Sequence, residues 1–370
     1  MINKGIIDSI VLANQFKIPQ NEKEEKLLKI IKEQLKNFSI NSNLRAMYKK
    51  SGIDISKIFK LEEVPFIPVN MFKEFDLSIC SKEDVIRILN SSATTTGKPS
   101  KIYLDKTTSL HQTQGLISTL VSFLGTKRRP MLIIDDKNIN GQSGVLTARG
   151  AAIRGVSSFA SKITYVMEKC DDNLKLNMDK LKEFERTYKD REILVYGFTY
   201  IIWSKFVKVL EEKGITLSLP NLKLLHSGGW KKLNSEKVQK EEFMKRTAKV
   251  FGTNMRNIID FYGMVEQVGV VFVDCEYGHK HVPDFAEVII RDINSLEEVE
   301  PGEQGIIEVM SILGSSYPSQ AILTEDIGEL VGIDSCKCGR KGKYFKFKSR
   351  VEKAETRGCG DTFAERENIK

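Results

Sequence analysis

The stretch Pro130-Met131-Leu132-Ile133-Ile134-Asp135-Asp136 decides the fold class. Four successive apolar residues, entered through a proline and closed by two acids, match a buried strand. The pattern recurs downstream. Ile193 to Tyr196 ends at Gly197, and Leu222 to Leu225 ends at Ser227-Gly228-Gly229. Helical periodicity over Leu181 to Tyr188 and Glu236 to Val250 falls between and after these runs. Strands alternating with helices predict an α/β protein with a mostly parallel sheet covered on both faces, and ligands bind such sheets beyond the carboxyl ends of the strands.

Upstream, the first hundred residues read mostly as helix, with Leu27, Leu28, Ile31 and Leu35 forming one apolar stripe among Lys and Glu. Pro65 and Pro68 bias Phe66 to Val69 toward extended chain. Downstream of about residue 257 strands dominate, at Ile258 to Phe261, Val268 to Asp274, Phe285 to Arg291 and Ile306 to Met310, with Pro301-Gly302 as a turn. A β-rich subdomain at about 257–348 is the expectation.

Composition bounds the function. The chain has 370 residues, 41% hydrophobic and 29% charged, enough to bury a large core, and its net charge of +8 is too mild to imply nucleic acid. Asp8 and Ser9 break the N-terminal apolar run before a secretion signal forms, and the run Leu116 to Leu124 is too short to span a bilayer. Six cysteines are not a disulfide scaffold, so a reduced cytoplasm is expected.

Three segments could carry chemistry. Ser91-Ser92-Ala93-Thr94-Thr95-Thr96-Gly97-Lys98-Pro99-Ser100 gathers hydroxyls, a glycine and a lysine, a phosphate cradle or an ordinary Ser/Thr-rich turn, and it lacks the Walker A glycine spacing. Phe261-Tyr262-Gly263-Met264-Val265-Glu266 sets an aromatic to stack on a base and a carboxylate for a divalent cation. In Thr324-Glu325-Asp326-Ile327-Gly328, Asp326 could accept hydrogen bonds from a ribose diol or cap a turn.

Together, in this order, the three segments resemble the adenylate-forming superfamily of acyl-CoA ligases, luciferases and peptide-synthetase adenylation domains. Ala93, Glu325 and Ser349 depart from its motifs, while Lys348-Ser349-Arg350-Val351-Glu352 falls where its hinge motif lies. A narrower resemblance, to the acyl-protein synthetase family of the long-chain-fatty-acid–luciferin-component ligase type, rests on Phe66-Ile67-Pro68-Val69 with Phe72-Lys73, on His226-Ser227-Gly228-Gly229-Trp230-Lys231, and on Arg357-Gly358-Cys359. It implies an adenylation domain over residues 1–348 and a hinge-like tail at 349–370 carrying Cys359, in place of the mobile domain of larger relatives.

The resemblance also implies roles. Ser92, Thr94, Thr95, Thr96, Gly97 and Lys98 would hold the ATP phosphates, Glu266 the Mg²⁺, Tyr262 and Gly263 the adenine, and Asp326 and Arg350 the ribose; Gly228 and Gly229 would line the nucleotide or acyl pocket. Cys359, flanked by glycines and near Arg357 and Lys353, would take the acyl group from acyl-AMP and deliver it to an acyl reductase, acyltransferase or carrier protein. Two alternatives stay open: a phenylacetate-CoA-ligase-like enzyme passing the acyl group to coenzyme A or a carrier, with Cys359 incidental, and a non-catalytic nucleotide-binding scaffold. The acid's chain length is not legible, and a homo-oligomer is neither required nor excluded.

Two further groupings stand apart. Cys275, His281, Cys336 and Cys338 are a zinc-type ligand set or buried free thiols, with Cys80 and Cys170 structural. The basic run Lys337, Arg340, Lys341, Lys343, Lys346, Lys348, Arg350 and Lys353 is a solvated face or a docking surface for an acidic partner.

Overall fold

The computed structural model describes residues 4–90, 99–138, 148–170, 173–230 and 237–351. Its strands are β1 (Ile67–Pro68), β2 (Arg87–Asn90), β3 (Lys101–Leu104), β4 (Arg129–Ile134), β5 (Ala160–Tyr165), β6 (Met167–Cys170), β7 (Asn173–Leu176), β8 (Ile193–Phe198), β9 (Leu222–Ser227), β10 (Ile258–Tyr262), β11 (Phe272–Asp274), β12 (Lys280–His281), β13 (Ala286–Arg291), β14 (Gln304–Ser311), β15 (Ala321–Ile333) and β16 (Lys343–Arg350). One large sheet runs β13-β14-β15-β16-β12-β11-β10-β9-β8-β4-β5, with β1 pairing β15; β2-β3 and β6-β7 are separate pairs. Strands β5-β4-β8-β9-β10 are parallel, and from β11 the pairing along this path is antiparallel.

The apolar runs form central strands because successive side chains feed opposite faces. Leu132, Ile134, Val195 and Leu224 point into one core with the helices Met178–Tyr188 and Lys240–Phe251. Met131, Ile133, Leu194, Tyr196 and Leu225 point into another, under Lys106–Leu124 and Ala148–Val156. The helical stripe of Leu27, Ile31 and Leu35 is buried in a third core with the antiparallel strands. None of the described helices is long and apolar enough to cross a membrane.

Three expectations need correction. The strand expected over Val268 to Asp274 shrinks to Phe272–Asp274, because Val265–Gln267 is a 3₁₀ turn. Gly269 then passes at φ +90°, so close to the backbone of Gln112 that a Cβ would sit 2.4 Å from its carbonyl oxygen. The β-rich segment does not form its own sheet, since β10 pairs with both β9 and β11 and makes it an extension of the parallel strands. The boundary at 348 falls inside β16, where Ser349 and Arg350 go on pairing with Ile327 and Asp326.

Candidate active site

The carboxyl ends of β9 and β10 lie side by side, with Ser227 opposite Phe261, which places Gly228-Gly229 next to Tyr262-Gly263. β10 delivers Tyr262 into an aromatic cluster with Phe272 at 5.9 Å and Phe347 at 5.7 Å, both near-parallel to it, and Phe345 edge-on. Phe347 is partly exposed, so it is the neighbouring ring with which an adenine stacking on Tyr262 would compete. The Tyr262 hydroxyl donates to Asp326 Oδ2 at 2.8 Å, and Arg350 Nε donates to Asp326 Oδ1 at 3.0 Å across the β15–β16 ladder. Burial, with the Asp326 charge beside it, pushes the Tyr262 phenol well above its ordinary range. Thr324 Oγ1 donates to the Ile307 carbonyl and accepts from Asp326 N at 3.1 Å, which sets the bend that presents the carboxylate.

Glu266 follows on the 3₁₀ turn, buried, with its pKa raised by desolvation. The Ser100 hydroxyl and the charges of Lys73 and Arg350 act on it in the opposite, lowering sense. Among the described residues it forms no salt bridge. A buried carboxyl of this kind fits a divalent cation, whose charge would offset the desolvation. Lys73 and Ser100 belong to the quoted Phe72-Lys73 and Ser/Thr-rich segments, yet their place beside Glu266 had no signal in the sequence. Ser92, Thr94, Thr95, Thr96, Gly97, Lys98 and Cys359 lie outside the described residues.

The neighbouring strand ends carry charge that sequence reasoning missed. His226 Nδ1 shares a hydrogen bond of 2.9 Å with Thr199 Oγ1, and burial drops the imidazole to about 4, so it is neutral. Below it Lys280 Nζ reaches Asp260 at 2.7 Å and Asp274 at 3.3 Å, and Lys240 joins Asp274 at 2.5 Å. Desolvation alone would raise Asp260, but the Lys280 ammonium holds it low. At the end of β4, buried Asp135 accepts from Arg149 Nε at 3.1 Å. Trp230, half-buried, packs edge-on against Trp203 and Phe243 at the border of the core.

Cys275, His281, Cys336 and Cys338 meet with their ligating atoms all within 4.8 Å of one another. Half of the basic run is paired within the chain. Arg340 lies over the Phe123 ring and bonds Glu276, Lys343 is buried against Glu298, Lys348 pairs with Glu329, and Arg350 with Asp326. Internal pairing of this kind weakens its reading as a docking face.

A family model described as acyl-protein synthetase, LuxE, matches residues 1–367. The long-chain-fatty-acid–luciferin-component ligase of Aliivibrio fischeri is 23% identical over 300 residues, covering 80% of this chain and 74% of that protein. Its counterpart from Vibrio harveyi is 23% identical over 328 residues, covering 86% and 82%. Among solved structures, an open conformation of 2-hydroxyisobutyryl-CoA ligase in complex with 2-HIB-AMP and CoA aligns with a TM-score of 0.68 at 14% identity, over 91% of this chain and 76% of that one. At that identity the likeness establishes the adenylate-forming ligase fold and nothing finer.

Proposed function

The chain belongs to the LuxE acyl-protein synthetase family, and from that membership and the site geometry we infer that it activates a fatty acid and loads the acyl group onto its own Cys359. Membership makes it an AMP-forming, acyl-activating ligase. The fatty acid, the acceptor thiol and the residue roles are our reading. The observation that carries it is the junction at the Asp326 carboxylate, to which Tyr262 and Arg350, far apart in sequence, both bond.

A carboxylate is a poor electrophile because its leaving group would be oxide. Its oxygen attacks the α-phosphorus of ATP, pyrophosphate departs, and the acyl carbon gains AMP as a leaving group. Thr94, Thr95, Thr96 and Lys98 would hold the phosphates as negative charge shifts onto them. Mg²⁺, when bound by Glu266, would add charge neutralisation there. Asp326 would exchange its Tyr262 or Arg350 bond for the ribose hydroxyls. In the second half the Cys359 thiol loses its proton, the thiolate attacks the acyl carbonyl, and AMP leaves behind a thioester. A thioester keeps enough reactivity for delivery to a reductase or acyltransferase.

Acid-dependent exchange of labelled pyrophosphate into ATP isolates the first half. Exchange in wild type that persists in Cys359→Ser and collapses in Asp326→Ala is the expected result. AMP formation only in the presence of coenzyme A would favour the CoA-ligase reading, and no exchange with any acid would favour a scaffold.

A further inference from the structure

The Cys/His cluster is built from two turns of the same form. In the first, Cys275-Glu276-Tyr277-Gly278, the Tyr277 N–H donates to Cys275 Sγ at 3.4 Å and the Gly278 N–H to the Cys275 carbonyl at 2.8 Å. In the second, Cys336-Lys337-Cys338-Gly339, the Gly339 N–H donates to the Cys336 carbonyl at 2.9 Å. Gly278 and Gly339 both have left-handed φ, +75° and +80°, which lets each chain double back around its cysteine.

The distances suit a metal better than a disulfide. Cys275 Sγ and Cys336 Sγ stand 3.9 Å apart, whereas a disulfide needs about 2.05 Å. A tetrahedral ion with Zn–S bonds of about 2.3 Å places its sulfurs about 3.8 Å from each other. Cys338 Sγ lies 3.2 Å from His281 Nε2, whose ring stacks on Tyr344 at 5.5 Å and meets Phe16 edge-on at 6.0 Å. These packings fix the imidazole with Nε2 toward the sulfurs. His279 approaches only Cys336, at 3.7 Å.

We propose that Cys275, His281, Cys336 and Cys338 hold one structural Zn²⁺ that clamps the β11–β12 hairpin to the β15–β16 turn. Three soft thiolates and one imidazole are the donor set that selects zinc, and four protein ligands leave no open position for a substrate or an activated water. The clamp lies at the start of β16, while Arg350 lies at its end, about 23 Å away at the rise of an extended strand. Its role is to fix the strand that carries Arg350, and the inference holds whether or not the chain acylates Cys359.

The test is metal analysis of the full chain purified under reducing conditions from zinc-supplemented medium. The expected content is about one zinc per chain, falling at least tenfold in Cys336→Ser and His281→Ala and unchanged in Cys170→Ser. Cobalt exchanged into the wild type should give the thiolate charge-transfer and visible bands of a tetrahedral site. Removing the metal should lower the melting temperature of wild type by several degrees and leave that of Cys336→Ser unmoved. A wild type that neither carries zinc nor takes up zinc or cobalt on reconstitution overturns the proposal. A Cys275–Cys336 disulfide in the freshly isolated chain, or full zinc content in both ligand variants, does so too.

Discussion

The two ends of the β15–β16 hairpin make the instructive contrast. At the turn, three sulfurs and one imidazole nitrogen lie within 4.8 Å of one another. At the open end, both oxygens of Asp326 already accept hydrogen bonds from protein donors, Tyr262 and Arg350. The first arrangement suits a ligand that stays, since nothing has to be exchanged to admit it. The second suits a ligand that comes and goes: a ribose hydroxyl can replace one donor while the carboxylate keeps the other. A single pair of strands thus joins a fixed point to an exchangeable one.

The largest expected effect breaks the exchangeable end. Asp326→Ala removes the acceptor shared by Tyr262 and Arg350 and should lower acid-dependent pyrophosphate exchange about a hundredfold, in line with two charge-assisted hydrogen bonds. Zinc content should not change. Loss of zinc in that variant would mean that the two ends are not separable.

Arg350→Lys keeps the charge and loses the planar donor geometry, so a drop of about tenfold in the same assay is expected. Wild-type exchange would show that only charge matters at this position. Phe347→Ala is subtler. It removes the near-parallel ring 5.7 Å from Tyr262, and if adenine takes its place the KM for ATP should fall about threefold with kcat unchanged. A rise in KM would show that Phe347 itself holds the base.

The smallest effect concerns stability. His226 is buried at about 4 against an ordinary 6.5, so the unfolded chain binds the proton more tightly than the folded one does. Stability should therefore decline as pH falls from 6.5 to 4, by up to about 3 kcal/mol. His226→Gln should flatten the melting curve against pH across that window, and an unchanged slope would place the loss elsewhere.

Much of the parallel body was legible because strands buried on both faces are written as short apolar runs. Met131 to Ile134 and Leu222 to Leu225 are such runs, and the structure extends each by only two residues. The antiparallel extension was harder to read. Val268 to Asp274 looks like one strand, but Gly269 turns against Gln112, a contact between residues more than a hundred and fifty positions apart. The grouping of Cys275, His281, Cys336 and Cys338 was legible from residue types in two short segments, while the choice between a zinc site and buried thiols was not. Nor were the Asp260–Lys280–Asp274 network and the place of Phe347 beside Tyr262. Both depend on register between strands distant in sequence, and charged or aromatic residues at those positions look like ordinary surface and core.

The central claim is that the acyl group passes from adenylate to Cys359, and intact-mass measurement tests it most directly. After incubation with Mg-ATP and saturated fatty acids of graded length, wild-type chain should gain the mass of one acid less water. Neutral hydroxylamine should remove that mass, and Cys359→Ser should not acquire it while still forming AMP. An adduct that persists on Cys359→Ser, or one that resists hydroxylamine, would contradict the account.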